Sequence, residues 1–190
     1  FNNWNKFFNK LKEISSSKSK NDELLNYLVD DLGEDCRYAI QIMLLSSLVP
    51  PNSRIKNKKG FWKPSILECQ ESIIHHAKNA ADIELYVEQT RTKLKEQNFP
   101  LLPFVIVVGS NLASLTDFYV SVDSILYKVD STLQAFDICF KSFHTLHALY
   151  PAQSEHLWLL IQLGVYKFQT KWDKQIPIVH EILKQVNVTI

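Results

Sequence analysis

The run Phe104–Val108, FVIVV, constrains the fold more than any other part of the chain. It is apolar throughout, largely β-branched, and bounded by Pro103 and Gly109. A run with no polar face predicts a strand buried on both sides. Such a strand needs partners beside it and covering layers above and below. Downstream, Phe118, Val120 and Val122 alternate with Tyr119 and Ser121, and Ile125, Tyr127 and Val129 alternate with Leu126 and Lys128. This two-residue period predicts a hairpin turning near Asp123-Ser124. Residues 72–76 are compatible with either helix or a short strand.

The rest of the chain carries helical spacing. Trp4, Phe7, Phe8, Leu11 and Ile14 form the apolar stripe of a short amphipathic helix. A linker with Ser15, Ser16, Ser17 and Ser19 follows. Asn21 then caps a predicted helix with Leu24, Leu25, Leu28, Val29 and Leu32 on its apolar face, ended by Gly33. The next helix spans 34–48 and is stopped by Pro50 and Pro51. Ser65 and Glu68 form an S-x-x-E capping box. A helix with Ile83, Val87, Thr90 and Leu94 on one face starts near Asn79 and Asp82. Three more follow the hairpin: one opened by Ser131 and Gln134, one bearing Leu157 to Phe168, and one from about Lys174. The predicted class is α+β, mostly helical, with a small three- to four-stranded sheet covered by helices. The organisation reads as a helical segment over 1–50, a basic-aromatic loop over 51–64 and an α+β domain over 65–190.

Composition sets the limits on function. The chain has 190 residues, 46% hydrophobic and 22% charged, which is enough to bury a core. A net charge of +1 excludes a broadly basic nucleic-acid binder. The total conceals a local imbalance, because no acidic residue occurs between Asp35 and Glu68. That interval holds Arg37, Arg54, Lys56, Lys58, Lys59 and Lys63, with Phe61 and Trp62 among them. Cations neutralise phosphates and exposed aromatics stack on unpaired bases. Arg54, Lys56, Lys58, Lys59, Trp62 and Lys63 are therefore the candidate nucleic-acid contacts, set against an ordinary solvated loop with Trp62 tucked onto the core. Trp4, Phe7 and Phe8 are the candidate partner-binding residues, as a docking or dimerising arm, set against packing within the chain.

Catalytic signatures are sparse. There is no G-x-G-x-x-G and no G-x-x-x-x-G-K-[ST], and no cofactor is implied. Asp117, Asp123, Asp130 and Asp137 recur every six or seven residues and would serve a metal-dependent nuclease only if they converged. His144 and His147, spaced i, i+3 on a predicted helix, are a weak chelating pair. Cys36, Cys69 and Cys139 are widely spaced and odd in number, which fits buried thiols in a reducing intracellular compartment, the nucleus included. No uninterrupted apolar stretch reaches the roughly 18 residues of a membrane span. A chain opening at Phe1 without an apolar leader reads as a piece of a longer or processed protein.

From Glu71 onward, the segments ESIIHH, PFVIVVGS (103–110), YKVDS (127–131), DICFKSFHTLHALYP (137–151) and HLWLLIQLGVYKF (156–168) resemble a group of uncharacterised, multi-copy arthropod open reading frames associated with transposon-like sequence. The resemblance implies a mobile-element-derived context and carries no functional residue. The expectation is a non-catalytic protein-interaction or oligomerisation module with nucleic-acid contact through the basic loop. The alternative is a fragment of a metal-dependent nucleic-acid-processing enzyme.

Overall fold

A computed structural model describes residues 3–15, 23–28, 31–57, 60–123 and 125–186. The FVIVV run lies in strand β4 (Phe104–Asn111), at the centre of a four-stranded sheet. Its neighbours are β3 (Ile74–Ala77), which runs parallel to it, and β5 (Ser114–Val122), which runs antiparallel. Strand β6 (Ile125–Val129) pairs antiparallel with β5 and forms an edge. The α+β class is as predicted. The ambiguous segment after Glu71 resolves as a strand because Ile74 pairs with Val105 and Ala77 with Val108.

Alternation along β4 divides the molecule into layers. Phe104, Ile106 and Val108 face Ile83 and Val87 of helix α4 (Ile83–Glu96), which crosses over between β3 and β4. Val105 and Val107 join Phe118 and Val120 on the opposite face, within the main core. There α2 (Glu34–Leu48) and α5 (Thr132–Thr145) pack on the sheet. Behind them lie α1 (Trp4–Ser15), α6 (Glu155–Ile161), which runs on as a π turn over Gln162–Tyr166, and α7 (Pro177–Gln185). Helix α3 (Ile66–Glu71) carries the predicted capping box: Ser65 Oγ accepts from the Glu68 N–H, and the Ser65 N–H donates to the Glu68 carboxylate. The Glu68 carboxyl lies below its ordinary range, because bonds from Ser65 and Lys93 outweigh the burial that opposes ionisation.

Several expectations change. The boundary at residue 50 does not divide the core, since Trp4, Phe8, Ile40, Phe136 and Trp158 belong to one buried cluster. Trp158 stacks on Phe136 at 5.1 Å and meets Phe143 edge-on at 5.1 Å, tying α5 to α6. Among the described residues of the helix expected over 21–32, only a 3₁₀ turn at Glu23–Tyr27 is present. Asn21, Asp22 and Val29, like Ser16, Ser17 and Ser19, lie outside the described residues. Helix α7 begins at Pro177 rather than Lys174, the first-turn position at which proline's missing N–H costs nothing. Cys36, Cys69 and Cys139 are buried and unpaired, and burial pushes the Cys69 thiol up to about 12.

His75 gives this fold a pH dependence. Its ring stacks on Tyr86 at 3.3 Å, linking β3 to α4. Burial, aided by neighbouring His76, lowers its pKa to about 4. The unfolded chain therefore binds more protons between pH 6.5 and 4, and stability falls on acidification through that window. The loss is up to about 2 kcal/mol, after discounting the per-unit value for the ring's partial exposure. Thermal melts across this range should show a falling midpoint, and His75→Phe should flatten the slope. Burial also lowers His144 and His156, so part of the slope persists.

Candidate nucleic-acid interface

The basic-aromatic segment over 51–64 holds a short β-hairpin rather than a plain loop, while Arg37, at the start of the acid-free interval, lies on α2. Pro50 and Pro51 follow α2 closely, and the chain re-enters helical structure only after Pro64. Between them, β1 (Ile55–Asn57) pairs antiparallel with β2 (Gly60–Trp62), in the register Ile55↔Trp62, Lys56↔Phe61 and Asn57↔Gly60. Gly60 has φ 128°, a value that side-chain-bearing residues rarely adopt. Lys58 and Lys59, which the sequence sets between the strands, lie outside the described residues.

Residues directly opposite each other in an antiparallel pair project from the same face. Ile55 and Trp62 are half-buried and turn toward the body of the protein. Trp62 sits 5.9 Å from Phe99 and lines a cavity of about 70 Å³ with Glu68, Tyr86 and Phe104. Lys56 and Phe61 take the other face, where Phe61 is 74% exposed. Arg54 and Lys63 flank the strand ends and are also exposed. By the two-residue period they share the side of Lys56 and Phe61. The outward face thus carries three cations around an exposed phenyl ring. None of the three forms a salt bridge among the described residues, and the nearest acid in sequence, Glu68, is held by Lys93 at 3.2 Å.

Two sets of expected site residues need correction. Trp62 is a packing residue rather than a stacking platform, and Phe61 holds the exposed aromatic position instead. The signal was in the register: whichever residue opposes Lys56 faces out with it. Trp4, Phe7 and Phe8 are 1%, 4% and 1% exposed. They cannot form a docking arm, because the stripe that made the helix amphipathic is spent on the main core.

The acids disperse. Asp117 binds Lys128 at 2.6 Å, and hydrogen bonds from Lys128 and Thr116 hold its carboxyl below the usual range. Asp123, at the other end of β5, reaches Arg91 of α4 at 3.6 Å. Asp137 accepts from Tyr166 Oη at 2.8 Å and pairs with Lys141. It lies on α5, so the sheet separates it from Asp117, which shares the α4 side. Asp130 follows β6 next to Asp117, whose charge Lys128 already neutralises. His147 falls beyond α5 with φ 51° and is exposed, so the helical i, i+3 spacing to His144 is lost. Among the described residues, no three His, Cys, Asp or Glu side chains form a group that could hold a metal ion. Nor is any of the described helices long and apolar enough to cross a membrane.

In comparisons with known proteins, the chain matches no family model, no curated protein and no solved structure at a significant level.

Proposed function

We propose that this chain is a non-catalytic module that contacts single-stranded nucleic acid through the outward face of the β1–β2 hairpin, within a mobile-element-derived intracellular protein. The observation carrying this reading is the juxtaposition of Arg54, Lys56 and Lys63 with exposed Phe61 on one face. The cations match phosphates, and the ring offers a platform for an unpaired base. A single strand suits this face better than a duplex, because a stacking ring needs a base that is not already stacked. The purely protein-binding reading loses its main support, since its apolar arm is in the core. The enzyme reading loses its convergent carboxylates.

The test is anisotropy titration of a labelled single-stranded oligonucleotide across a salt series. Three phosphate contacts give a slope of log K on log salt near −2, and Lys58 and Lys59 would steepen it to about −3.5, at ~0.7 per contact. The triple change Arg54→Glu, Lys56→Glu, Lys63→Glu should weaken binding at least tenfold and flatten the slope. Equal binding by this variant and the native chain would overturn the proposal.

A further inference from the structure

A second basic-aromatic segment lies between α6 and α7. It reads KFQTKWDK over 167–174, with Lys167, Phe168, Lys171, Trp172 and Lys174 exposed. Trp172, at 81%, is the most exposed of the large hydrophobic residues described. The segment's one acid is turned inward: Asp173 accepts from the Thr170 N–H at 2.8 Å and from Gln162 Nε2 at 2.7 Å. Lys174 pairs with Glu155 at 2.7 Å. Lys167 and Lys171 have no salt bridge among the described residues, and the Lys171 ammonium sits 4.8 Å from the Trp172 ring centroid. The cation lies over the indole, and the ring remains largely exposed.

Trp172 rims a cavity of about 540 Å³, a size that accommodates small planar ligands. Phe143, His144, Tyr150, Gln162 and Thr170 are among its walls. A directed hydrogen-bond chain runs through them. Gln162 Nε2 donates to two acceptors, the Asp173 carboxylate and the Phe168 carbonyl, so the amide orientation is fixed. Gln162 Oε1 must then accept from Tyr150 Oη, at 2.7 Å. Tyr150 Oη in turn accepts from His144 Nε2–H, at 3.0 Å. The neutral His144 ring is therefore the Nε2–H tautomer, and burial shifts its pKa downward against the opposing pull of Asp173. Its Nδ1 has no protein hydrogen bond among the described residues and remains an acceptor. The cavity thus joins an aromatic platform, flanking positive charge and a preset acceptor.

It also lies close to the hairpin. Ile55 and Pro51, at the hairpin's root, share a small cavity with Gln153, His156 and Ile176. Glu155 and Lys174, their sequence neighbours, line the larger one. The inner side of the hairpin and the Trp172 cavity flank the first turn of α6.

We infer that the Trp172 cavity takes an unpaired nucleobase of the same single strand that the hairpin holds, stacked on the indole with its edge toward His144. This inference rests on the nucleic-acid reading of the hairpin. The charge pattern favours a nucleic-acid strand over an apolar peptide, because the segment's only carboxylate is already used internally.

The test uses the full chain and two labelled 12-mers, one ordinary and one with abasic sites throughout. Trp172→Ala should weaken binding of the ordinary strand roughly tenfold or more, the scale of one base–aromatic stack. It should leave the salt slope and the thermal midpoint unchanged, since the ring is exposed. On the abasic strand, Trp172→Ala and the native chain should bind alike. Native-like binding of the ordinary strand by Trp172→Ala would overturn the inference and leave the hairpin proposal standing. An equal loss on the abasic strand would also overturn it, because the indole would then not be reading a base. Failure of the native chain to bind either strand at low salt would overturn both.

Discussion

Trp4→Ala should destabilise the protein by about 4 kcal/mol or more, combining the cost of a large-to-small core change with that of an orphaned acceptor. The indole meets Phe136 edge-on at 5.5 Å, so truncation opens a cavity against the central helix of the aromatic cluster. Trp4 Nε1 also donates to Gln41 Oε1 at 2.7 Å, inside the protein. Gln41 lies on α2 and is 5% exposed, so water cannot readily replace the lost donor. In a chain of this size the thermal midpoint should fall by roughly 10 °C. Trp4→Phe separates the two costs, because it keeps an aromatic ring and still strands Gln41. Adding Gln41→Leu to Trp4→Phe should recover part of the loss, since the unpaired acceptor is then gone. A Trp4→Ala protein as stable as the native chain would return α1 to the role of a detachable arm.

The same residue shows what could be read in advance. The helix over 4–15 was legible because its apolar positions follow a 3.6-residue period. The period gives a buried face and does not say whether that face belongs to this chain or to a partner. Only the fold answers, by placing Phe136 and Gln41 opposite Trp4. Helix α2 was legible at both ends, since an acidic first turn and a Pro-Pro stop are local signals. The β1–β2 hairpin was not legible: three-residue strands are too short to display alternation, and Trp62 is oriented by Phe99, thirty-seven positions away. The Trp172 cavity was not legible as a unit. Its hydrogen-bond chain draws on the end of α5, an intervening turn, a π turn and a loop, and each residue is unexceptional alone. The basic character of the hairpin was visible in the charge sequence, but which aromatic faces outward depended on register.

Gly109→Ala should be nearly as damaging as loss of Trp4, and for a different reason. Gly109 lies where β4 and β5 shift register, between the pairs Val108↔Asp117 and Asn111↔Ser114. A β-carbon there would fall well inside contact with the Ser114 carbonyl oxygen, and would come within 2.8 Å of Leu115 Cα and 2.9 Å of the Ser114 carbonyl carbon. All three are backbone atoms of the paired strand, so no rotamer change relieves the clash. The strands must separate at the bulge, and the cost lies at the upper end of the ~1–3 kcal/mol typical of overpacking. The Gly109 carbonyl also accepts from His76 Nε2 at 2.8 Å, and the same movement strains that link between β3 and β4. A chemical-denaturation midpoint shifted to lower denaturant with an unchanged slope is the expected result. Ser110, the next residue, is exposed, and Ser110→Ala should leave the midpoint where it was. If both variants unfold together with the native chain, the close approach of β5 to Gly109 is not a constraint on this fold.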